Sequence, residues 1–161
     1  MASSVREGDP APDFTMTSAQ GEVIHLAAYR GKSEVVLFFY PKDDSPACTA
    51  EACSFRDSYE DFLDAGAVVI GVSADPAGEH RAFAGKHRLP FPLLTDSDGS
   101  LRARYGVPKT LGLIPGRVTY LIDREGVVRN VYSSQFRPSG HVRETLKALR
   151  ELRGPGAVAP G

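Results

Sequence analysis

Residues 35–40, VVLFFY, and residues 41–57, PKDDSPACTAEACSFRD, together decide how this chain folds. Six consecutive apolar residues suit a central strand buried on both faces. Residues 41–46 carry turn chemistry. From Ala47 to Leu63 the apolar positions Cys48, Ala52, Phe55, Tyr59, Phe62 and Leu63 recur at three- and four-residue spacing, which predicts one amphipathic helix. Residues 67–73, AVVIGVS, then form a second buried strand. The unit is strand, helix, parallel strand.

Outward from this unit the pattern continues to alternate. Asp75 and Pro76 read as an N-cap and first helical residue, opening a helix to about Arg88. Residues 117–123 and 127–133 read as strands joined by Arg124-Glu125-Gly126, a hairpin signal. Val142, Leu146, Leu149 and Leu152 place an apolar stripe on a last helix, and residues 13–16 and 22–25 can add an N-terminal hairpin. The expected fold is α/β and thioredoxin-like, a central mixed sheet flanked by helices. No repeat or linker divides the chain, so residues 1–161 read as a single domain. Residues 154–161, GPGAVAPG, are expected to be a flexible tail, and residues 1–8 to be loosely held.

Composition narrows the function. At 42% hydrophobic and 24% charged residues, the chain has the balance of an ordinary globular domain. A formal net charge of -1 with interspersed signs gives no electrostatic footprint for nucleic acid. The longest apolar runs are far too short to span a bilayer. The N-terminus carries Arg6 and Glu7 without the apolar run of a secretory signal. Two cysteines do not make a disulfide framework, so a cytoplasmic location is expected, with any disulfide transient and catalytic.

The cysteine pair carries the chemistry. Ser45 suits an N-cap whose hydroxyl accepts from the third helical N–H, and Pro46 suits the first helical position. Cys48 then lies in the first turn, where free N–H groups and the helix dipole favour a thiolate, the reactive form of cysteine. Asp43 and Asp44 oppose that charge, so a cation from elsewhere is required. Cys48 lies seven residues before Phe55 and shares its core-facing side. Cys53 is roughly 140° round the helix and about 7.5 Å along it, with Cα atoms roughly 8–9 Å apart, beyond the ~7 Å reach of a disulfide. A Cys48–Cys53 bond therefore requires the first turn to unwind.

Free cysteines are most often small buried hydrophobes. The Ser45-Pro46 pair ahead of Cys48, directly after a buried strand, favours the reactive reading instead. C-x4-C without a second pair is not zinc spacing, and it is not the C-x-x-C of a dithiol oxidoreductase. His80, Phe83 and His87 fall on one helical stripe, the pattern of packing rather than ligation. Arg56-Asp57 reads as an ion pair. Residues 96–99, DSDG, read as a turn, because the terminal glutamate of a calcium loop is missing.

These residues resemble the peroxiredoxins, and specifically the bacterioferritin-comigratory protein or peroxiredoxin Q subfamily. The family's P-x-x-x-(T/S)-x-x-C signature matches Pro41, Ser45 and Cys48, and CTAEACSFRD matches the form with a second cysteine five residues on. GDPAPDF at 8–14, FPLLTD at 91–96, YGVPK at 105–109 and RVTYLID at 117–123 follow in the family's order, so the resemblance covers about residues 5–152. It implies a thiol-dependent peroxidase acting on hydrogen peroxide and organic hydroperoxides. Cys48 would be the peroxidatic cysteine and Cys53 the resolving one, closing an intrachain disulfide through a sulfenic acid. Ser45 would orient the peroxide, Pro41 would shield the thiolate, and Arg117 would be the active-site cation. From position alone, Arg117 reads as a surface ion pair.

Ser45 stands where threonine is commoner, which keeps the hydroxyl and loses the methyl that restrains its rotamer. Ala84 removes the alternative resolving position on the later helix. Thioredoxin or glutaredoxin is the implied reductant, and no haem, flavin or metal cofactor is called for. A monomer is expected, because both cysteines lie in one chain. A peroxide sensor or holdase using the same switch is the alternative, and a catalytically silent thioredoxin-like interaction module a third reading.

Overall fold

The computed structural model describes residues 5–43, 45–107, 109–110, 114–134 and 138–152. The expected tail at 154–161 lies outside these residues, as does Asp44. In chain order the elements are β1 (Thr15–Thr17), β2 (Val23–His25), β3 (Glu34–Phe39), α1 (Pro46–Asp57), α2 (Tyr59–Asp64), β4 (Ala67–Ser73) and α3 (Ala77–His87). There follow β5 (Leu93–Thr95), α4 (Ser100–Tyr105), β6 (Lys109–Thr110), β7 (Ile114–Pro115), β8 (Val118–Ile122), β9 (Val128–Ser133) and α5 (Pro138–Leu152).

The run VVLFFY occupies the middle of a five-stranded sheet ordered β5-β4-β3-β8-β9. β3 pairs with β4 in parallel, Val35 opposite Val68, and with β8 antiparallel, Leu37 opposite Tyr120. The sheet is mixed, as the sequence leads one to expect. Because side chains alternate along a strand, Val36, Phe38 and Tyr40 enter one core while Val35, Leu37 and Phe39 enter another on the opposite face. The first core receives Cys48, Ala52 and Phe55 from α1 together with Val142 and Leu149 from α5. Phe38 stacks on Phe55 with centroids 4.5 Å apart. That contact, worth ~0.5–1.5 kcal/mol beyond burial, fixes α1 over the sheet.

The expected single helix over 47–63 is divided at Ser58, whose φ of -101° and ψ of 7° leave helical geometry. The offset keeps Tyr59 against Phe91 and Phe62 against Phe55. It also turns Leu63 outward, 45% exposed, so Leu63 is not the core residue its spacing suggested. Leu152 likewise ends its stripe at the surface. α3 begins at Ala77 with Pro76 as N-cap, one residue later than expected. The Asp75 carboxylate has other partners: it accepts from the Asp43 backbone N–H and the Ser73 hydroxyl.

The N-terminal hairpin forms as β1 and β2, with Met16 opposite Ile24. The β8–β9 turn closes at Gly126 with φ +81°, where a Cβ would meet Arg30 Nε at 2.8 Å. Residues 96–99 form the expected turn, and the Asp96 carboxylate accepts from the backbone N–H groups of Leu101 and Arg102 at the start of α4. Among the described residues, no helix is long and apolar enough to cross a membrane.

Candidate active site

The site forms where β3 gives way to α1 and the chain returns into β8. Arg102 on α4 fastens these two passages together: its guanidinium donates to the Tyr40 carbonyl at 3.1 Å and to the Gly116 carbonyl at 3.0 Å. The same group lies 5.7 Å over the Phe39 ring. Burial pulls its pKa down, with the charges of Asp96, Tyr120 and Cys48 acting against that. Pro41, half-buried, follows Tyr40 in the turn.

Ser45 is the N-cap residue of α1 and Pro46 the first helical residue, as the sequence predicts. The expected capping bond is not made. The Ser45 hydroxyl donates to the Lys42 carbonyl at 3.1 Å, so it braces the turn rather than the helix. The first helical bond runs from Thr49 N–H to the Ser45 carbonyl. Cys48 lies in the first turn at 1% exposure, facing the core with Ala52 and Phe55. Cys53 lies further along α1, only partly buried, and both thiols are free. With both cysteines in one continuous helix, the five-residue separation holds them apart as the spacing requires.

Arg117, immediately ahead of β8, is buried at 3% exposure rather than forming a surface pair. One guanidinium nitrogen donates to Cys48 Sγ at 3.3 Å and another to Glu51 Oε1 at 2.8 Å. The required cation is therefore at the sulfur. Glu51, one turn after Cys48, is sealed from water, and burial pushes its pKa up to about 8 although Arg117 opposes the rise. Burial is also the largest influence on Arg117 and pulls it down, but Glu51 and Cys48 outweigh it and the net shift is upward. At Glu51 dehydration governs, because Arg117 offsets only part of the cost of a carboxylate shut off from water. With Glu51 protonated, the guanidinium charge is left to the sulfur.

His141 on α5 completes the buried array. Its Nε2 lies 2.7 Å from the Ser134 carbonyl and its Nδ1 lies 2.8 Å from the Thr119 hydroxyl. A carbonyl only accepts, so Nε2 carries the hydrogen, and burial lowers the ring's pKa to about 4. The Thr119 hydroxyl donates to the bare Nδ1 of the neutral ring, and Glu51 Oε2 lies 3.4 Å from that nitrogen. Glu51 Oε2 makes no hydrogen bond among the described residues.

A buried thiol at a helix start, with a guanidinium donating to its sulfur, sets positive charge where a nucleophilic sulfur would give up negative charge. A family model described as the AhpC/TSA family matches residues 7–131. The chain belongs to this family. It is 49% identical over 149 residues to the chloroplastic peroxiredoxin Q of Triticum aestivum, covering 92% of this chain and 68% of that protein. The peroxidoxin BcpB of Mycobacterium tuberculosis superposes with a TM-score of 0.85 at 36% identity, covering 93% of this chain and 99% of that one. The bacterioferritin comigratory protein of Xanthomonas campestris, a structure described for alkyl peroxide reduction, gives a TM-score of 0.79 at 30% identity, covering 86% and 91%.

This peroxiredoxin is thus a thiol-dependent peroxidase of the Q subfamily on a thioredoxin-like fold. Of the residues the sequence marks, Cys48 and Arg117 are brought into contact, Ser45 and Pro41 flank them in the turn, and Cys53 stands apart along the helix. Glu51, Arg102 and His141 went unmarked. Glu51 was findable, since a carboxylate three residues from Cys48 falls on the buried stripe with Ala52 and Phe55 and demands a partner there. Arg102 gave no signal, because an arginine on a short helix reads as a solvated residue.

Proposed function

We propose that this peroxiredoxin reduces hydrogen peroxide and organic hydroperoxides by a two-cysteine cycle confined to one chain. The contact from Arg117 to Cys48 Sγ at 3.3 Å, in a buried setting, is the observation that carries the reading. The Cys48 thiolate attacks the terminal peroxide oxygen, the O–O bond breaks, and the leaving oxygen takes a proton to depart as water or an alcohol. Arg117 and the N–H groups of the first helical turn stabilise the charge as it passes from sulfur to oxygen. Ser45 orients the peroxide and Pro41 shields the thiolate from water.

Cys48 is left as a sulfenic acid. Unwinding of the first turn of α1 brings it to Cys53, whose thiol displaces water to form the disulfide. Thioredoxin or glutaredoxin then reduces that bond, and a disulfide on an unwound turn is readily exchanged. The cycle needs no cofactor and no second subunit. We assign it to a monomer, to a single domain and to the cytoplasm.

The test is peroxide consumption with thioredoxin as electron source. The parent should turn over steadily, and Cys48→Ser should consume nothing. Cys53→Ser should consume one equivalent and stop at a sulfenic acid that only an added thiol recovers. Sustained turnover by Cys48→Ser would overturn the assignment. A parent that stops after one equivalent would favour the peroxide sensor or holdase.

A further inference from the structure

Asp43 lies in the turn before Cys48, where an ionised carboxylate would oppose the thiolate. It is instead buried and turned toward α3. Its Oδ1 accepts from the Tyr40 hydroxyl at 2.5 Å, and its Oδ2 lies 2.5 Å from His80 Nδ1. Its backbone N–H donates to Asp75 Oδ2 at 2.8 Å. His80 is fully buried, with Nε2 3.0 Å from the Leu94 carbonyl.

These contacts fix a proton count. The Leu94 carbonyl can only accept, so His80 Nε2 carries a hydrogen. A neutral ring would then present a bare lone pair at Nδ1 to Asp43 Oδ2, two acceptors in contact in a dry site. A hydrogen must lie between them, on the ring or on the carboxyl. In either case Asp43 and His80 together carry no net charge, the state that burial favours.

The surrounding groups leave this count unchanged. Burial and the adjacent Asp43 both raise the pKa of the Tyr40 hydroxyl, keeping it a donor. Asp75 is engaged by the Ser73 hydroxyl as well as by the Asp43 N–H. Lys42, Glu79 and Lys86 line an open pocket on the outer side of Asp43. Asp43, Asp75 and His80 offer atoms within 4.8 Å of one another, the spacing of a cation site. Hydrogen bonds already occupy those atoms, so no cation site follows.

We propose that Asp43 and His80 are positioning residues for the Cys48 reaction, a proton-sharing pair that leaves no net charge in the turn before Cys48 and fastens Asp43 to α3. This rests on Cys48 being the nucleophile, as proposed above. Three variants separate the charge from the scaffold. In Asp43→Asn the amide can accept from Tyr40 and donate to a neutral His80, so the site stays uncharged. In His80→Gln nothing remains to share a proton with Asp43, and a buried negative charge stands unbalanced in the turn before Cys48. The double variant D43N/H80Q removes that charge again.

The readout is the pH profile of Cys48 alkylation by iodoacetamide, followed by mass. It registers the thiolate whether or not peroxide turns over, so failure here is distinct from failure of the peroxidase reading. A bare buried carboxylate in the turn before Cys48 disfavours a second negative charge at the sulfur and so moves the titration midpoint upward. His80→Gln should therefore shift the midpoint of the profile upward by about one pH unit, a tenfold change in the ionisation constant. Asp43→Asn should keep the parent midpoint, and the double variant should return to it. A double variant shifted as far as His80→Gln would overturn the proposal, as would an unchanged profile in His80→Gln. Should His80→Gln fail to fold, the reduced parent still provides a test. Its proton spectrum at pH 7 should hold a far-downfield bridging resonance that Asp43→Asn abolishes, and absence of that resonance in the parent would refute the shared proton.

Discussion

Glu51→Gln isolates the energetic cost of the buried carboxyl. Glutamine keeps the volume and keeps an oxygen to accept from Arg117. What it removes is ionisation. In the folded chain the Glu51 pKa lies at about 8 against an ordinary 4.5. Below 4.5 the group is protonated whether folded or not and stability does not depend on it. Between 4.5 and 8 the unfolded chain ionises while the folded chain does not, so stability falls as pH rises. The full loss, reached above pH 8, is about 5 kcal/mol, and about 3 kcal/mol of it is present at pH 7. Glu51→Gln should lack this term. Urea unfolding of the reduced proteins at several pH values between 5 and 8 should show the variant gaining steadily on the parent. Peroxide reactivity should be similar for the two at pH 7. Above pH 8 only the parent should decline, as ionised Glu51 draws the Arg117 charge from the sulfur. Parallel stability curves across this range would mean that Glu51 is ionised throughout, and would refute the account of the buried pair.

Removing the guanidinium in Arg117→Gln should slow the single-turnover reaction with peroxide at pH 7 by about 100-fold or more, the usual cost of losing a preorganised stabilising group. Arg117→Lys should recover only part of it, since an ammonium cannot fork to both Cys48 and Glu51; stopped-flow rates check both. Ser45→Ala should leave the urea midpoint nearly unchanged, within ~0.5 kcal/mol, because the exposed hydroxyl bonds the Lys42 carbonyl and caps nothing. The same variant should slow the peroxide reaction about tenfold if the hydroxyl orients the substrate. Gly126→Ala should lower thermal stability by about 1–3 kcal/mol, measured calorimetrically, since it forces an alanine into a positive φ.

The parts of the fold that could be read in advance are those where one physical signal dominates. The run VVLFFY can only be buried on both faces, and the seven-residue step from Cys48 to Phe55 puts both side chains in one core. The break at Ser58 was not legible, because apolar spacing continues across it and only the packing of Tyr59 on Phe91 selects the offset. Ser45 was placed correctly and its bond was not, since a hydroxyl at an N-cap can face back into the turn as easily as forward into the helix. Asp43 was read as an opposing charge because nothing local reveals that α3 brings His80 against it. Partners that meet across the fold, as Arg117 meets Cys48 and Glu51 meets His141, leave no trace in spacing. They came from resemblance or from the structure alone.

The central claim is that Cys48 and Cys53, held apart in one intact helix, must meet within a single chain during each cycle. Peptide mapping by mass spectrometry after one equivalent of peroxide, without reduction, tests it directly. The account predicts a Cys48–Cys53 crosslink within one chain, formed in full from the reduced protein. A crosslink between chains, or Cys48 advancing to sulfinic acid while Cys53 remains a free thiol, would contradict it.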